Sequence, residues 1–159
     1  MKKLLGMILT LALAAGLAWP VYAESSTVPP EVTAHAYLVM DAQTGQVLVQ
    51  KGGAERNYPA SITKIMTLAL AMEKCGGDMT QQVTVSPDAV YSLEAGSSHV
   101  ALQPGEVVSL NDLFHATILA SANDAASVIA SDVSGGDLTA FVAQMNARAK
   151  ELGCTDTTF

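Results

Sequence analysis

Pro59-Ala60-Ser61-Ile62-Thr63-Lys64-Ile65-Met66-Thr67-Leu68-Ala69-Leu70-Ala71-Met72 is the stretch from which the rest of the chain is best read. Proline is tolerated in the first turn of a helix but not further in, so Pro59 marks a helix start. Ile62, Ile65, Met66, Leu68, Ala69, Leu70 and Met72 make the segment apolar nearly all round, the pattern of a buried, central helix. Ser61 and Lys64, three residues apart, place a hydroxyl and an amine on one helical face about one turn from each other. That is a nucleophile beside a base. The positive end of the helix macrodipole would stabilise a Ser61 alkoxide and disfavour a Lys64 ammonium. An ordinary lysine titrates near ~10.4, so Lys64 accepts a proton at neutral pH only if it is partly desolvated or lies near another cation. The competing reading makes Ser61 an N-cap and Lys64 a solvated residue. The spacing alone decides little, because twelve serines and six lysines yield about 0.45 Ser-x-x-Lys matches by chance.

A second cluster, Ser121-Ala122-Asn123, follows sixty positions on. It lies between an apolar helix expected over Leu110–Ala120 and another over Ala125–Val133, where a short turn pushes both polar side chains into a cleft. Ser121 can then relay a proton to a leaving group and Asn123 can orient a substrate peptide; as an alternative, either residue merely caps the turn. Ser109-Leu110-Asn111 spells the same Ser-x-Asn pattern. Ser109, however, follows strand-like Val107-Val108 and precedes Asp112 by three positions, which makes it an N-cap with a capping-box partner. Asp124 is read as a helix-start residue.

The N-terminus addresses the compartment. Lys2-Lys3, the apolar stretch Leu4 to Ala18 and the small residues ending at Ala23 have the form of a signal peptide, 1–23, cleaved after Ala23. The protein is therefore expected to be exported, extracytoplasmic and at the cell envelope. The apolar stretch is shorter than the ~20 residues a spanning helix needs. Residues 24–33, with Ser25, Ser26, Thr27 and two prolines, read as a flexible leader. The net charge of −7 falls to −9 once Lys2 and Lys3 are removed, which argues against nucleic acid as a partner.

Beyond the leader, Ala36–Met40 and Gln46–Gln50 flank the turn residues Asp41 to Gly45 and predict a β-hairpin. The unbroken apolar run of the first strand points to burial on both faces. Gln82–Ser86 reads as a short strand, and Val100–Leu102 as a partner for Val107–Ser109 around Pro104-Gly105. Asp137 caps a helix whose stripe of Leu138, Phe141, Val142, Met145, Ala149 and Leu152 is core, ending at Gly153. Cys75 and Cys154 could form a disulfide in an oxidising compartment, and are read in preference as small buried residues. His35, His99 and His115 are scattered and are assigned structural roles.

With these residues in place the chain resembles a known family. Pro59-Ala60-Ser61-Ile62-Thr63-Lys64-Ile65-Met66-Thr67 and Ser121-Ala122-Asn123-Asp124-Ala125-Ala126 look like the low-molecular-weight penicillin-binding proteins that act as serine D-alanyl-D-alanine carboxypeptidases. Gly96-Ser97-Ser98, Leu102-Gln103-Pro104-Gly105-Glu106, Phe141 to Asn146, Leu152-Gly153 and Thr158-Phe159 follow in the family's order, so the likeness covers residues 34–159. It implies an α+β class, the penicillin-recognising, β-lactamase-like transpeptidase fold, in which an antiparallel sheet packs against a helical region. It also implies Ser61 as acyl-ester nucleophile, Lys64 as proton acceptor, Ser121 as second catalytic hydroxyl and Asn123 as substrate-binding amide. The implied partners are peptidoglycan stem peptides ending in D-Ala-D-Ala and β-lactam antibiotics, with no metal or organic cofactor.

One departure from the family matters. Its Lys-Thr-Gly motif, on a strand that lines the cleft and supplies a cation and an oxyanion-hole N–H, occurs nowhere in the sequence. The resemblance therefore implies that residues 34–159 are the N-terminal part of the catalytic domain, truncated before that strand and with little activity alone. A C-terminal membrane anchor, found in many relatives, would be absent here too. Two other functions compete. A class A-like β-lactamase needs a glutamate about 35 residues beyond Ser-x-Asn, and residues 152–159 contain none. A non-catalytic cell-wall binding or sensor protein would keep the fold and lose turnover.

Overall fold

The structure is a computed structural model that describes residues 31–159. The expected signal peptide, and the leader as far as residue 30, lie outside the described residues. The described residues fall into two compact units, 31–57 and 58–159.

In the first unit, β1 (Tyr37–Met40) and β2 (Val47–Lys51) pair antiparallel, as the turn chemistry between them requires. The Asp41 carboxylate closes that turn by accepting from the Gln43 and Thr44 amides at 3.0 and 2.7 Å and from the Thr44 hydroxyl at 2.8 Å. Gly45 follows at φ +72, a conformation that glycine reaches without steric cost. The expectation of a strand buried on both faces does not hold. Leu38 and Met40 are each 53% exposed, because a two-stranded hairpin has too few neighbours to cover either face.

The second unit carries the helices. A 3-10 turn, Ala60–Thr63, leads into α1 (Lys64–Cys75). β3 (Gln82–Thr84) and the short α2 (Pro87–Tyr91) follow, then β4 (Val107–Ser109), α3 (Leu110–Leu119), α4 (Asn123–Ser134) and α5 (Leu138–Glu151). The Ser109 hydroxyl accepts from the Asp112 amide at 3.1 Å, and Asp137 accepts from the Ala140 amide at 3.0 Å, so both expected N-caps form.

Strand pairing differs from expectation at one place. β4 pairs with β3 in the register Gln82↔Ser109, Val83↔Val108 and Thr84↔Val107, and Val100–Leu102 forms no strand. The amides of Val100 and Leu102 are taken instead by the Asp124 carboxylate.

The innermost helix also differs. The sequence predicts that α1 is enclosed, yet Ile65 is 67% and Met72 44% exposed, and only one face of α1 packs, against α3, α4 and α5. α4 is the enclosed helix, with Ala125, Val128, Ile129 and Ala130 buried and contacts to α1, α2, α3, α5 and β3. Small alanines at these positions let four helices approach it closely, and Val83, Val85, Leu113, Phe141 and Met145 complete the core. In α5 the stripe is buried at Phe141, Met145 and Ala149, whereas Val142 and Leu152 at its margins are exposed.

Both cysteines are free thiols. Cys75 is half-buried against the core, but Cys154 is exposed, which corrects its reading as a buried residue: it lies past the C-terminal turn of α5, beyond the reach of the core.

Candidate active site

Two neighbouring side chains, Ser61 and Lys64, and one from a distant part of the chain, Ser121, meet at the start of α1. Lys64 Nζ donates to Ser61 Oγ and to Ser121 Oγ, both at 3.3 Å, and Ser121 Oγ donates to Ser61 Oγ at 2.9 Å. Ser61 is solvent-exposed, Lys64 and Ser121 are half-buried, and the group is accessible to a substrate. Ser61 lies within the 3-10 turn and caps neither that turn nor α1. The capping alternative for Ser61 therefore lapses.

Local backbone explains how the hydroxyls come to face each other. Ala60 has φ +49 and Ser121 has φ +52, left-handed conformations that cost a residue bearing a Cβ about 1 kcal/mol or more. At the end of α3 the Ala116 carbonyl accepts from both the Ala120 and Ala122 amides at 3.1 and 3.2 Å, and the chain reverses at Ser121. Ala122 is fully buried and holds the turn down, leaving Ser121 on its outer side.

Burial lowers the pKa of the Lys64 amine below the ordinary lysine range. The three atoms form a closed ring once the amine is neutral: Ser61 O–H donates to Nζ, Nζ–H donates to Ser121 Oγ, and Ser121 O–H donates to Ser61 Oγ. Such a ring can take a proton from Ser61 and deliver one at Ser121.

Asn123, the fourth expected site residue, is brought near by the same turn and is the first residue of α4. Its side-chain amide donates to the Ser98 carbonyl at 3.0 Å, and its backbone N–H donates to the same oxygen at 2.8 Å. This leaves the Asn123 Oδ1 as an acceptor. The importance of Ser98 is not evident from the sequence, since it acts through a backbone carbonyl. Asp124 is a helix-start residue, as its position predicts; it is also 1% exposed, and its carboxylate is wholly engaged by backbone amides. An acidic residue directly after Ser-x-Asn, in the first turn of a helix, was the available signal.

The histidines have local partners. His35 Nε2 is 3.1 Å from a Glu55 carboxylate oxygen, His99 Nδ1 accepts from the Ala101 amide at 3.1 Å, and His115 Nδ1 is 2.9 Å from the Asn111 carbonyl.

Comparison with known proteins agrees with this geometry. The D-alanyl-D-alanine carboxypeptidase family profile matches residues 23–159. D-alanyl-D-alanine carboxypeptidase DacC of Escherichia coli is 39% identical over 86% of this chain and 36% of its own length. DacF of Bacillus subtilis is 32% identical, with 100% of this chain aligned to 41% of that protein. Among solved structures, penicillin binding protein 6B of Escherichia coli superposes with a TM-score of 0.76 at 34% identity, covering 86% of this chain and 44% of that one. The Streptomyces K15 DD-transpeptidase does so with a TM-score of 0.74 at 27% identity, covering 82% and 52%. The penicillin-binding protein fold is thus the fold of this chain, which spans about two fifths of the length of the curated relatives it matches.

Proposed function

This chain belongs to the D-alanyl-D-alanine carboxypeptidase family, and on that premise we propose that the protein of which it is part removes the terminal D-alanine from peptidoglycan stem pentapeptides through an acyl-enzyme on Ser61. The observation that carries the reading is the contact of Ser61, Lys64 and Ser121 within one hydrogen-bonded ring. Ser61 Oγ attacks the carbonyl of the penultimate D-alanine, and Lys64 takes the hydroxyl proton. As the C–N bond breaks, a proton passes through Ser121 to the departing amine, so that the terminal D-alanine leaves neutral at nitrogen. Water then hydrolyses the ester and Ser61 regains its proton. The Asn123 Oδ1 accepts from a backbone N–H of the stem peptide and sets its direction.

β-Lactams, which imitate the D-Ala-D-Ala end, acylate the same oxygen. The work of such an enzyme is cell-wall biogenesis and remodelling. In this reading residues 1–23 are a signal peptide, 24–33 a leader and 34–159 the N-terminal part of the catalytic domain, and the site faces the extracytoplasmic side of the envelope.

The test is made on the full-length gene product. Release of D-alanine from a pentapeptide ending in D-Ala-D-Ala, lost in Ser61→Ala, supports the reading. Rapid β-lactam hydrolysis without D-alanine release would make the protein a lactamase, and absence of both a binding protein.

A further inference from the structure

Asp124 is a buried carboxylate with an unusual set of partners. Val100 N–H donates to its two oxygens at 3.2 and 3.1 Å, Leu102 N–H donates to Oδ2 at 3.0 Å, and Ala125 N–H donates to Oδ1 at 2.9 Å. None of the salt bridges among the described residues involves it. A carboxylate without a cation is held inside a protein only when hydrogen bonds replace its lost water, and here backbone amides and the start of α4 supply them. The loop contributes a fitted cradle. Ala101, at φ +61, turns the backbone so that the amides on either side of it converge on one carboxylate, an anion-binding nest.

The same loop carries Ser98, two residues before Val100, and the Ser98 carbonyl accepts from the backbone N–H and from the side-chain amide of Asn123. Asp124 and Asn123 are neighbours on α4, so two adjacent residues clamp one loop at two points. Two loop amides and one loop carbonyl are thereby fixed to the helix that also begins at the Ser121 turn. The hydrogen bonds are charge-assisted at the Asp124 point, the stronger class.

We propose that Asp124 is a positioning residue for the acylation site: by gripping the 98–102 loop it fixes the Ser98 carbonyl, and through it the orientation in which the Asn123 amide is presented to a peptide or β-lactam. It touches neither substrate nor Ser61. This inference rests on the acyl-transfer reading above for its effect on rate, but not for its effect on the loop.

The experiment compares Asp124→Ala, Asp124→Asn and Met145→Ala in the full-length protein, all measured at a temperature where each is folded. Met145 is buried in α5, takes no part in the hydrogen bonds of the loop, and serves as a control for general destabilisation. Losing the charge-assisted contacts of this carboxylate is expected to slow labelling by a fluorescent penicillin about tenfold or more in Asp124→Ala. Asp124→Asn, which keeps one acceptor oxygen, falls between it and the wild type, and Met145→Ala labels at the wild-type rate. Amide exchange across 98–102 accelerates in Asp124→Ala and stays unchanged in Met145→Ala. Unchanged exchange in Asp124→Ala overturns the proposal, as does equal slowing of labelling by Met145→Ala. A wild-type protein that penicillin fails to label would sink the acyl-transfer reading alone, since the exchange comparison still decides whether Asp124 holds the loop.

Discussion

Ser121 Oγ donates to Ser61 Oγ at 2.9 Å, although sixty residues separate them in the chain. The contact needs two backbone strains, at Ala60 and at Ser121, and a core able to impose them. It means that the reactive oxygen is held by a second hydroxyl as well as by the Lys64 amine, and several outcomes follow from which group supplies what.

Ser121 combines a strained backbone with a useful side chain. Replacing it with glycine relieves the left-handed conformation, so Ser121→Gly is expected to be more stable than Ser121→Ala by about 1 kcal/mol in denaturant unfolding. Both variants lose the relay hydroxyl, and D-alanine release falls by about a hundredfold or more. Relative to Ser121→Ala, the glycine variant therefore gains stability with no gain in turnover.

Lys64 is expected to act through its neutral form. Lys64→Arg keeps the positive charge but cannot give up its proton, and penicillin labelling should drop by about 100-fold or more. Quantitative labelling under identical conditions measures this directly, and labelling close to that of the wild type would mean that the amine serves only as a charge.

Ser109 repeats the Ser-x-Asn spelling without the role. Its hydroxyl caps α3 through the Asp112 amide, so Ser109→Ala should cost about 1 kcal/mol of stability with labelling of Ser61 unchanged. A thermal melt alongside a labelling gel reads both quantities.

Ile129 is wholly buried in α4, the helix every other helix of its unit touches except for the 3-10 turn. Ile129→Ala should destabilise by about 2–5 kcal/mol, while Ile129→Val costs about 1 kcal/mol. Urea unfolding of both variants checks the ratio.

Much of the fold and part of the site were legible in the sequence because the signals are local. Ser61 and Lys64 are joined by helical spacing, Ser109 and Asp137 by capping chemistry, and Asp41 to Gly45 by turn chemistry. Ser86-Pro87-Asp88 carries a similar local signal, an N-cap followed by proline, and α2 begins there with Ser86 Oγ accepting from the Ala89 amide at 3.4 Å. Val100–Leu102 could not be placed by such means. Its apolar run fits a strand, and only a carboxylate more than twenty residues away, at Asp124, diverts its amides from a sheet. The enclosure of α4 in place of α1 has the same origin. An apolar stripe tells which faces want cover, whereas small residues such as Ala125 and Ala130 decide which helix others can approach.

The account depends most on Lys64 being uncharged when Ser61 attacks. Desolvation lowers its pKa, so the neutral, proton-accepting fraction grows as pH rises through a midpoint below the ~10.4 of an ordinary lysine. The direct measurement is the rate of Ser61 acylation by a β-lactam in the full-length protein as a function of pH. The expected profile climbs and levels off with its midpoint clearly below that value. A rate that climbs only in the ordinary lysine range, or that does not respond to pH at all, would contradict it.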